Sequence, residues 1–91
     1  MPIAPADIPR LADKARLKWD AVREKHLLLF PEGVLVLNQT AHDILALCDG
    51  RRTVTDIVAV LAAQYQNDTI AGDVTGILQK LADKGLVKTA G

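Results

Sequence analysis

The sequence contains little of three things that often reveal a function: cysteine, aromatic residues and net charge. A single cysteine, Cys48, leaves no internal disulfide to form, which favours a reducing compartment and excludes a disulfide scaffold. The aromatic residues are Trp19, Phe30 and Tyr65, too few for a surface on which the bases of single-stranded nucleic acid stack. Because 11 Lys and Arg residues balance 11 Asp and Glu residues, no overall field attracts nucleic acid, an anionic membrane or an acidic substrate.

The N-terminal region lacks the apolar run of a signal peptide or a membrane span. Together with the lone cysteine, this absence leads us to expect a cytoplasmic protein. At 91 residues the chain has the length of one domain. We predict a flexible, proline-punctuated arm over residues 1–14, in which only Ile8 and Leu11 could pack, and one folded domain over residues 15–91.

The stretch HLLLFPEGVLVLN, residues 26–38, contains two short apolar runs separated by Pro31, Glu32 and Gly33. Such runs bounded by turn residues predict a β-hairpin. Its second strand, Val34 to Leu37, is apolar at every position, although a small antiparallel sheet usually exposes one face to water. We therefore expect something to cover the second face.

An earlier strand is indicated over residues 15–20, where Leu17 and Trp19 alternate with charged residues. Consecutive strands tend to be neighbours, so we predict an antiparallel meander in which the strand over Val34 to Leu37 lies at an edge.

Three helices are predicted after the hairpin. Asn38 or Thr40 can cap the first, and Asp49 with Gly50 would end it. The second begins with a capping box at Thr53. The third spans about residues 69–84, and Leu86 with Val87 then resembles a short terminal strand. The apolar faces are expected to comprise Ala41, Ile44, Leu45 and Cys48 in the first helix, Ile57, Val60, Leu61 and Tyr65 in the second, and Ile70, Val74, Ile77, Leu78 and Leu81 in the third.

The predicted fold class is α+β, a three-stranded antiparallel N-terminal sheet followed by a three-helix bundle, like a winged helix-turn-helix protein. That architecture raises DNA binding as an alternative. However, the first two turns of the third helix contain no basic residue, and Arg51 with Arg52 is more simply a solvated turn. Reading of a DNA groove by this helix is therefore not expected.

Catalysis and metal binding find little support in the residues. His26 and His42 lack further ligands at a suitable spacing, so we interpret them as surface residues and predict no metal site. Cys48 lies on the apolar stripe of the first helix and fits a buried thiol better than a nucleophile. We expect no enzyme activity and no cofactor. Gly72 and Gly76, one turn apart, indicate either close approach of another backbone or tight packing within the protein.

The exposed edge of the predicted third strand has two physically equivalent uses. An extended peptide could pair its backbone with Val34 to Leu37, or a second copy of the chain could pair there to form a homodimer. The residues alone do not distinguish the two.

The sequence resembles the PqqD family, pyrroloquinoline quinone biosynthesis protein D. The similarity begins with Pro9, Arg10 and Leu11, continues through RLKWD, LLLFPEGVLVLNQTAHDIL and LCDGRRTVTDIV, and includes Ala62, Tyr65, Asp73, Val74 and Leu81. It covers nearly the whole chain after the arm.

The resemblance implies a recognition element for ribosomally made, modified peptides that has a winged helix-turn-helix-like fold without binding DNA. Such a protein would bind the precursor peptide PqqA and present it to PqqE, a radical SAM enzyme that links glutamate and tyrosine side chains of that peptide. In related elements the peptide adds as a strand beside the third helix. The implied contact residues are Val34, Leu35, Val36 and Leu37 on the strand and Ile70, Asp73, Val74 and Ile77 on the helix.

Overall fold

The structure is a computed structural model that describes residues 2–66 and 69–90. It confirms the α+β class, with three helices and antiparallel sheets. No helix in the described ranges is long and apolar enough to cross a membrane. In chain order the elements are β1 (Ile8–Leu11), β2 (Arg16–Asp20), β3 (Lys25–Phe30), β4 (Gly33–Leu37), α1 (Gln39–Ala46), α2 (Val54–Tyr65), α3 (Ile70–Asp83) and β5 (Val87–Ala90).

The predicted meander is confirmed as an antiparallel sheet in the order β2-β3-β4. The β3–β4 hairpin closes on the pair Phe30 and Gly33, so Pro31 and Glu32 form a two-residue loop. Residues alternate between the two faces of each strand. Leu17, Leu28 and Leu35 consequently form one cross-strand row on the face that packs on the helices, with Leu28 fully buried.

The prediction that regular structure begins near Ala15 is wrong, because strand β1 lies within the segment assigned to the arm. It pairs with β5 in a second, two-stranded sheet whose register places Ile8 opposite Ala90 and Leu11 opposite Val87. The preceding backbone is also bonded, since the Val54 N–H donates to the Asp7 carbonyl over 2.9 Å. The pairing is between the two ends of the chain, and local periodicity carries no signal for it. Mobility of residues 1–14 stays a prediction.

The helix starts follow the capping residues. The Asn38 side chain accepts a 2.8 Å hydrogen bond from the Ala41 N–H at the start of α1. Thr53 and Asp56 form the expected capping box of α2, each side chain accepting a 3.1 Å bond from the other's N–H. Helix α1 ends at Ala46, before the predicted stop, so Cys48 is buried just beyond the helix.

The core lies between the inner face of the β2–β4 sheet and the three helices. Its helical residues include Ile44 and Leu45 of α1, Ile57 and Leu61 of α2, and Ile70, Val74, Leu78 and Leu81 of α3. Val60, expected on the apolar face of α2, is instead 43% exposed. The sheet of β1 and β5 was not predicted, and the winged-helix likeness therefore stays a prediction.

Candidate functional site

Strand β4 is an edge strand that pairs only with β3 among the described strands. Its side chains divide by face: Leu35 and Leu37 pack against the core, whereas Val34 is 52% exposed and Val36 is 59% exposed. The helices that the structure describes pack on the inner face and leave Val34 and Val36 uncovered. The expectation that something covers the second face therefore stays a prediction.

The register of the hairpin fixes which backbone groups of β4 are available. Phe30 and Gly33 close a two-residue loop and form a hydrogen-bonded pair, and hydrogen-bonded and non-hydrogen-bonded pairs alternate along an antiparallel ladder. Leu35 and Leu37 therefore bond to β3. The N–H and C=O groups of Val34 and Val36 point to the free edge, where an added strand could bond to them.

A groove lies between this free edge and α3. The nearer part encloses about 220 Å³, and a second depression of about 380 Å³ continues it along α3. Asn38, Ile77 and Lys80 line both parts, so the two depressions form one continuous groove. The other lining residues are Leu35, Val36, Leu37, Ala41 and Leu81 in the first part and Thr40, Gly72, Asp73 and Gly76 in the second.

The structure brings six of the eight predicted site residues to the groove and its edge. Val34 to Leu37 form the edge strand, and Asp73 and Ile77 line the groove. Ile70 and Val74, in contrast, are only 2% and 0% exposed. Their side chains belong to the core, so direct contact with a ligand is not supported in this packing.

Four groove residues of α3 were not predicted as contacts: Gly72, Gly76, Lys80 and Leu81. A Cβ built on either glycine would meet nothing within 4 Å, so these positions do not pack against another element of the described chain. The structure therefore does not support the interpretation that the glycine pair packs tightly within the protein. Close approach of another backbone stays a prediction. The spacing of Gly72, Asp73, Gly76, Ile77 and Lys80, three and four residues apart, was the available signal for one helix face.

A polar cluster lies beyond the far end of β4. The rings of His26 and His42 stack with centroids 3.8 Å apart, and Trp19 lies 4.7 Å from His26. Both histidines are half-buried rather than fully on the surface. His42 contacts Asp43 through its Nδ1 atom at 3.1 Å, and the Tyr65 hydroxyl donates to the same carboxylate.

The charge state of Asp43 follows from these contacts. Partial burial acts to raise its pKa, but hydrogen bonds from Tyr65, His42 and Gln39 together outweigh that effect and lower the pKa. The same hydrogen bond raises the pKa of Tyr65. The cluster is thus a structural network centred on an ionised carboxylate.

The described residues form neither a metal site nor an activated thiol. Among them, no group of three or more His, Cys, Asp or Glu side chains could hold a metal ion. Burial, with a contribution from the charge of Asp49, raises the pKa of Cys48 to about 12, so the thiol is protonated at neutral pH. Its Sγ donates to the Ile44 carbonyl over 3.2 Å, as expected of a small buried residue.

Comparison with known proteins identifies the family. The model of "Coenzyme PQQ synthesis protein D (PqqD)" matches residues 25–87, well over half of the chain. The chain belongs to the PqqD family. A PqqD chain is a recognition element and not an enzyme, which confirms the prediction of no catalytic activity.

Individual PqqD relatives cover the chain almost completely. A PqqA binding protein of Rhodopseudomonas palustris strain TIE-1 is 45% identical over 90% of this chain and 82% of its own length. A PqqA binding protein of Methylococcus capsulatus is 33% identical over 97% of this chain and 95% of its own. In Methylorubrum extorquens a matching segment, 40% identical over 91% of this chain, forms 23% of a bifunctional coenzyme PQQ synthesis protein C/D.

A solved structure shares the fold. The solution NMR structure of the PqqD part of Methylobacterium extorquens PqqCD superposes with a TM-score of 0.81, at 39% identity and 94% coverage of both chains. That protein is described as a functional, stand-alone RiPP recognition element. The β1–β5 sheet and the β2–β4 sheet described above thus belong to a known architecture.

Proposed function

We propose that this protein binds the precursor peptide PqqA by strand addition to β4 and presents it to the radical SAM enzyme PqqE in pyrroloquinoline quinone biosynthesis. The observation that carries the proposal is the free edge of β4 beside an apolar groove. Relatives named PqqA binding proteins support the choice of peptide. The protein needs no cofactor for this role, and we expect it to act in the cytoplasm.

The geometry of the groove suits one extended chain. Backbone groups of Val34 and Val36 face the edge, and each hydrogen bond formed there would contribute about 0.5–1.5 kcal/mol net. Leu35, Leu37 and Ile77 line the floor on which apolar side chains of the peptide would pack. A few bonds and one or two such anchors are sufficient for micromolar binding.

The polar residues of the groove favour a peptide over DNA. Asp73 lies near one end of the groove face of α3 and Lys80 near the other, so this face has no excess of positive charge. A helix that reads a DNA groove needs several cationic or amide side chains directed at bases and phosphates. We therefore interpret the winged-helix-like arrangement as a scaffold for peptide recognition.

A titration of the ¹⁵N-labelled protein with synthetic PqqA tests the proposal. We expect amide shifts at Val34 to Leu37 and on the groove face of α3, at Asp73, Ile77 and Lys80. Silence in both elements, with shifts elsewhere, would reject the site. Sedimentation across a dilution series should accompany the titration, since a dimer through β4 would compete with PqqA. Retardation of duplex DNA at physiological salt would instead revive the DNA-binding alternative.

A further inference from the structure

The face of the β2–β4 sheet turned away from the helices has an apolar surface of its own. Leu27 lies opposite Val36, and Leu29 lies opposite Val34. We call these four side chains the outer patch. Both valines are more than half exposed, and the leucines are half-buried without joining the core cluster of the described residues.

The outer patch is one continuous surface. Its two pairs are the non-hydrogen-bonded pairs of the ladder, in which opposite side chains approach most closely. Contiguous exposed apolar surface on a soluble protein commonly marks an interaction site. The side chains of the patch point away from the groove floor, since Leu35 and Leu37 lie on the other face, and Val36 alone of the four also lines the groove.

Positive charge borders the outer patch along β2. Lys18 lies opposite Leu27, and Arg16 lies opposite Leu29. Across β2, β3 and β4, each of the two cross-strand rows therefore consists of a cation, a leucine and a valine. Both cations are exposed, and neither forms an ion pair with another described residue. Asp20, the carboxylate on this face of β2, is 3.9 Å from Arg23 and accepts two backbone hydrogen bonds. The border therefore carries a local positive charge although the chain as a whole is neutral.

We propose that the outer patch is the docking surface for the protein that receives the bound peptide, and that this partner presents an apolar area bordered by carboxylates. The inference rests on the proposed function, in which that partner is PqqE. Complementary charge at the rim would orient the encounter, and the four aliphatic side chains would supply the buried centre.

The charges favour such a partner over a second copy or a membrane. Two copies docked through this face would bring Arg16 and Lys18 toward the same cations of the other copy. A membrane-binding surface typically combines a larger basic cluster with long or aromatic side chains that reach the acyl region. Within the outer patch, the two most exposed side chains are the short valines, Val34 and Val36.

The location also fits handover of a peptide. A peptide strand added to β4 would extend both cross-strand rows, so that one outward side chain of the peptide would lie beside the valine of each row. The partner could then contact the outward side chains of the peptide together with the outer patch. The groove on the opposite face would remain filled by the inward side chains.

The test compares two charge reversals of equal size in the full-length protein. One variant combines Arg16→Glu with Lys18→Glu; the control combines Arg51→Glu with Lys88→Glu, two exposed cations outside the β2–β4 sheet. We expect the first to weaken binding of PqqE by about tenfold or more and the control to change it by less than about threefold. Affinity for PqqA should stay within about twofold in both. Methyl signals of Leu27 and Leu29 in the unchanged protein should broaden when PqqE is added.

Several results would overturn the docking surface. These are absence of PqqE binding, an equal loss in both variants, or broadening confined to methyl groups elsewhere. Binding of the unchanged protein to phosphatidylglycerol vesicles that the first reversal abolishes would assign the patch to a membrane. Broadening on concentration alone would assign it to a second copy. Failure of PqqA to bind, with PqqE still docking at this face, would reject the proposed function and leave the surface standing.

Discussion

The Tyr65 hydroxyl at the end of α2 donates a hydrogen bond to the Asp43 carboxylate in α1. Gln39 donates to the other oxygen of the same carboxylate over 2.8 Å, and His42 contacts it at 3.1 Å. Asp43 therefore joins α1 to α2 close to the point where β4 ends and α1 begins. This hydrogen bond fixes α2 to α1, the helix that packs against the β3–β4 hairpin.

Replacing Asp43 with Asn should destabilise the protein at neutral pH and have little effect in acid. The pKa of Asp43 is lower in the folded protein than its ordinary value of 3.8. The ionised group consequently stabilises the fold above that value, and the contribution disappears as the pH falls through the lower folded-state pKa. Denaturant unfolding at pH 7 and at the lowest pH at which the protein still folds measures the difference. Tyr65→Phe is a partial control, because it removes one of the hydrogen bonds and keeps the charge. Equal destabilisation by Asp43→Asn at both pH values would contradict this account.

Val74 and Ile77 should separate stability from peptide binding. Val74 is fully buried, so Val74→Ala should lower the free energy of unfolding by about 2 kcal/mol and leave PqqA affinity of the folded protein nearly unchanged. Ile77 is half-buried and lines the groove, so Ile77→Ala should cost less stability and weaken PqqA binding. Denaturant unfolding and calorimetric titration give the two quantities. If the folded Val74→Ala variant bound PqqA more weakly although Ile77 kept its position, that result would support the predicted contact between Val74 and the peptide.

The difference between these two residues shows the limit of sequence periodicity. Spacing of three and four correctly places Val74 and Ile77 near one stripe of α3. It does not specify where the core ends and the groove begins, because that boundary depends on how far β4 lies from the helix. Similarly, alternation and turn residues predict β2, β3 and β4 closely, since each of these strands pairs with its neighbour in sequence.

Pairing between segments that are far apart in the sequence could not be predicted from local patterns. Strand β1 finds its partner in β5 at the other end of the chain, and its four residues alone contain no periodic signal. The stacked histidines were missed for the same reason, since His26 lies on β3 and His42 on α1. Capping of α1 and α2 was predictable, because the residues that bond there are three apart.

Gly76→Ala should stabilise the protein and weaken PqqA binding. Alanine is favoured over glycine inside a helix by about 1 kcal/mol, and the new methyl group would meet no neighbour within 4 Å. The same methyl group would stand in the groove where a peptide backbone is expected to approach. Thr75→Ala, on the adjacent exposed position outside the groove lining, is the control that raises helix propensity without filling the groove. Unchanged or tighter PqqA binding by Gly76→Ala would show that the peptide lies elsewhere.

Val36→Pro should remove one backbone donor from the free edge while leaving the β3–β4 ladder intact. The hairpin register directs the Val36 N–H outward, and proline is tolerated on an edge strand where its missing N–H would face away from the sheet. Loss of that bond should weaken PqqA binding by up to about tenfold. Val36→Thr, which keeps the N–H and the β-branched shape, should bind within about threefold of the unchanged protein. Calorimetry gives the affinities, and circular dichroism reports the fold.

A second proline variant, at Val34, tests the free edge even if Val36→Pro does not fold. Val34 has the same orientation, so Val34→Pro should reproduce the effect, whereas Leu35→Pro removes a donor that bonds to β3 and should unfold the hairpin. Two folded edge variants that bind PqqA as tightly as the unchanged protein would exclude strand addition at β4. If the groove residue Ile77 still affected affinity in that case, the peptide would occupy the groove without extending the sheet. The prolines therefore test the backbone pairing, and Ile77→Ala tests the side-chain contacts.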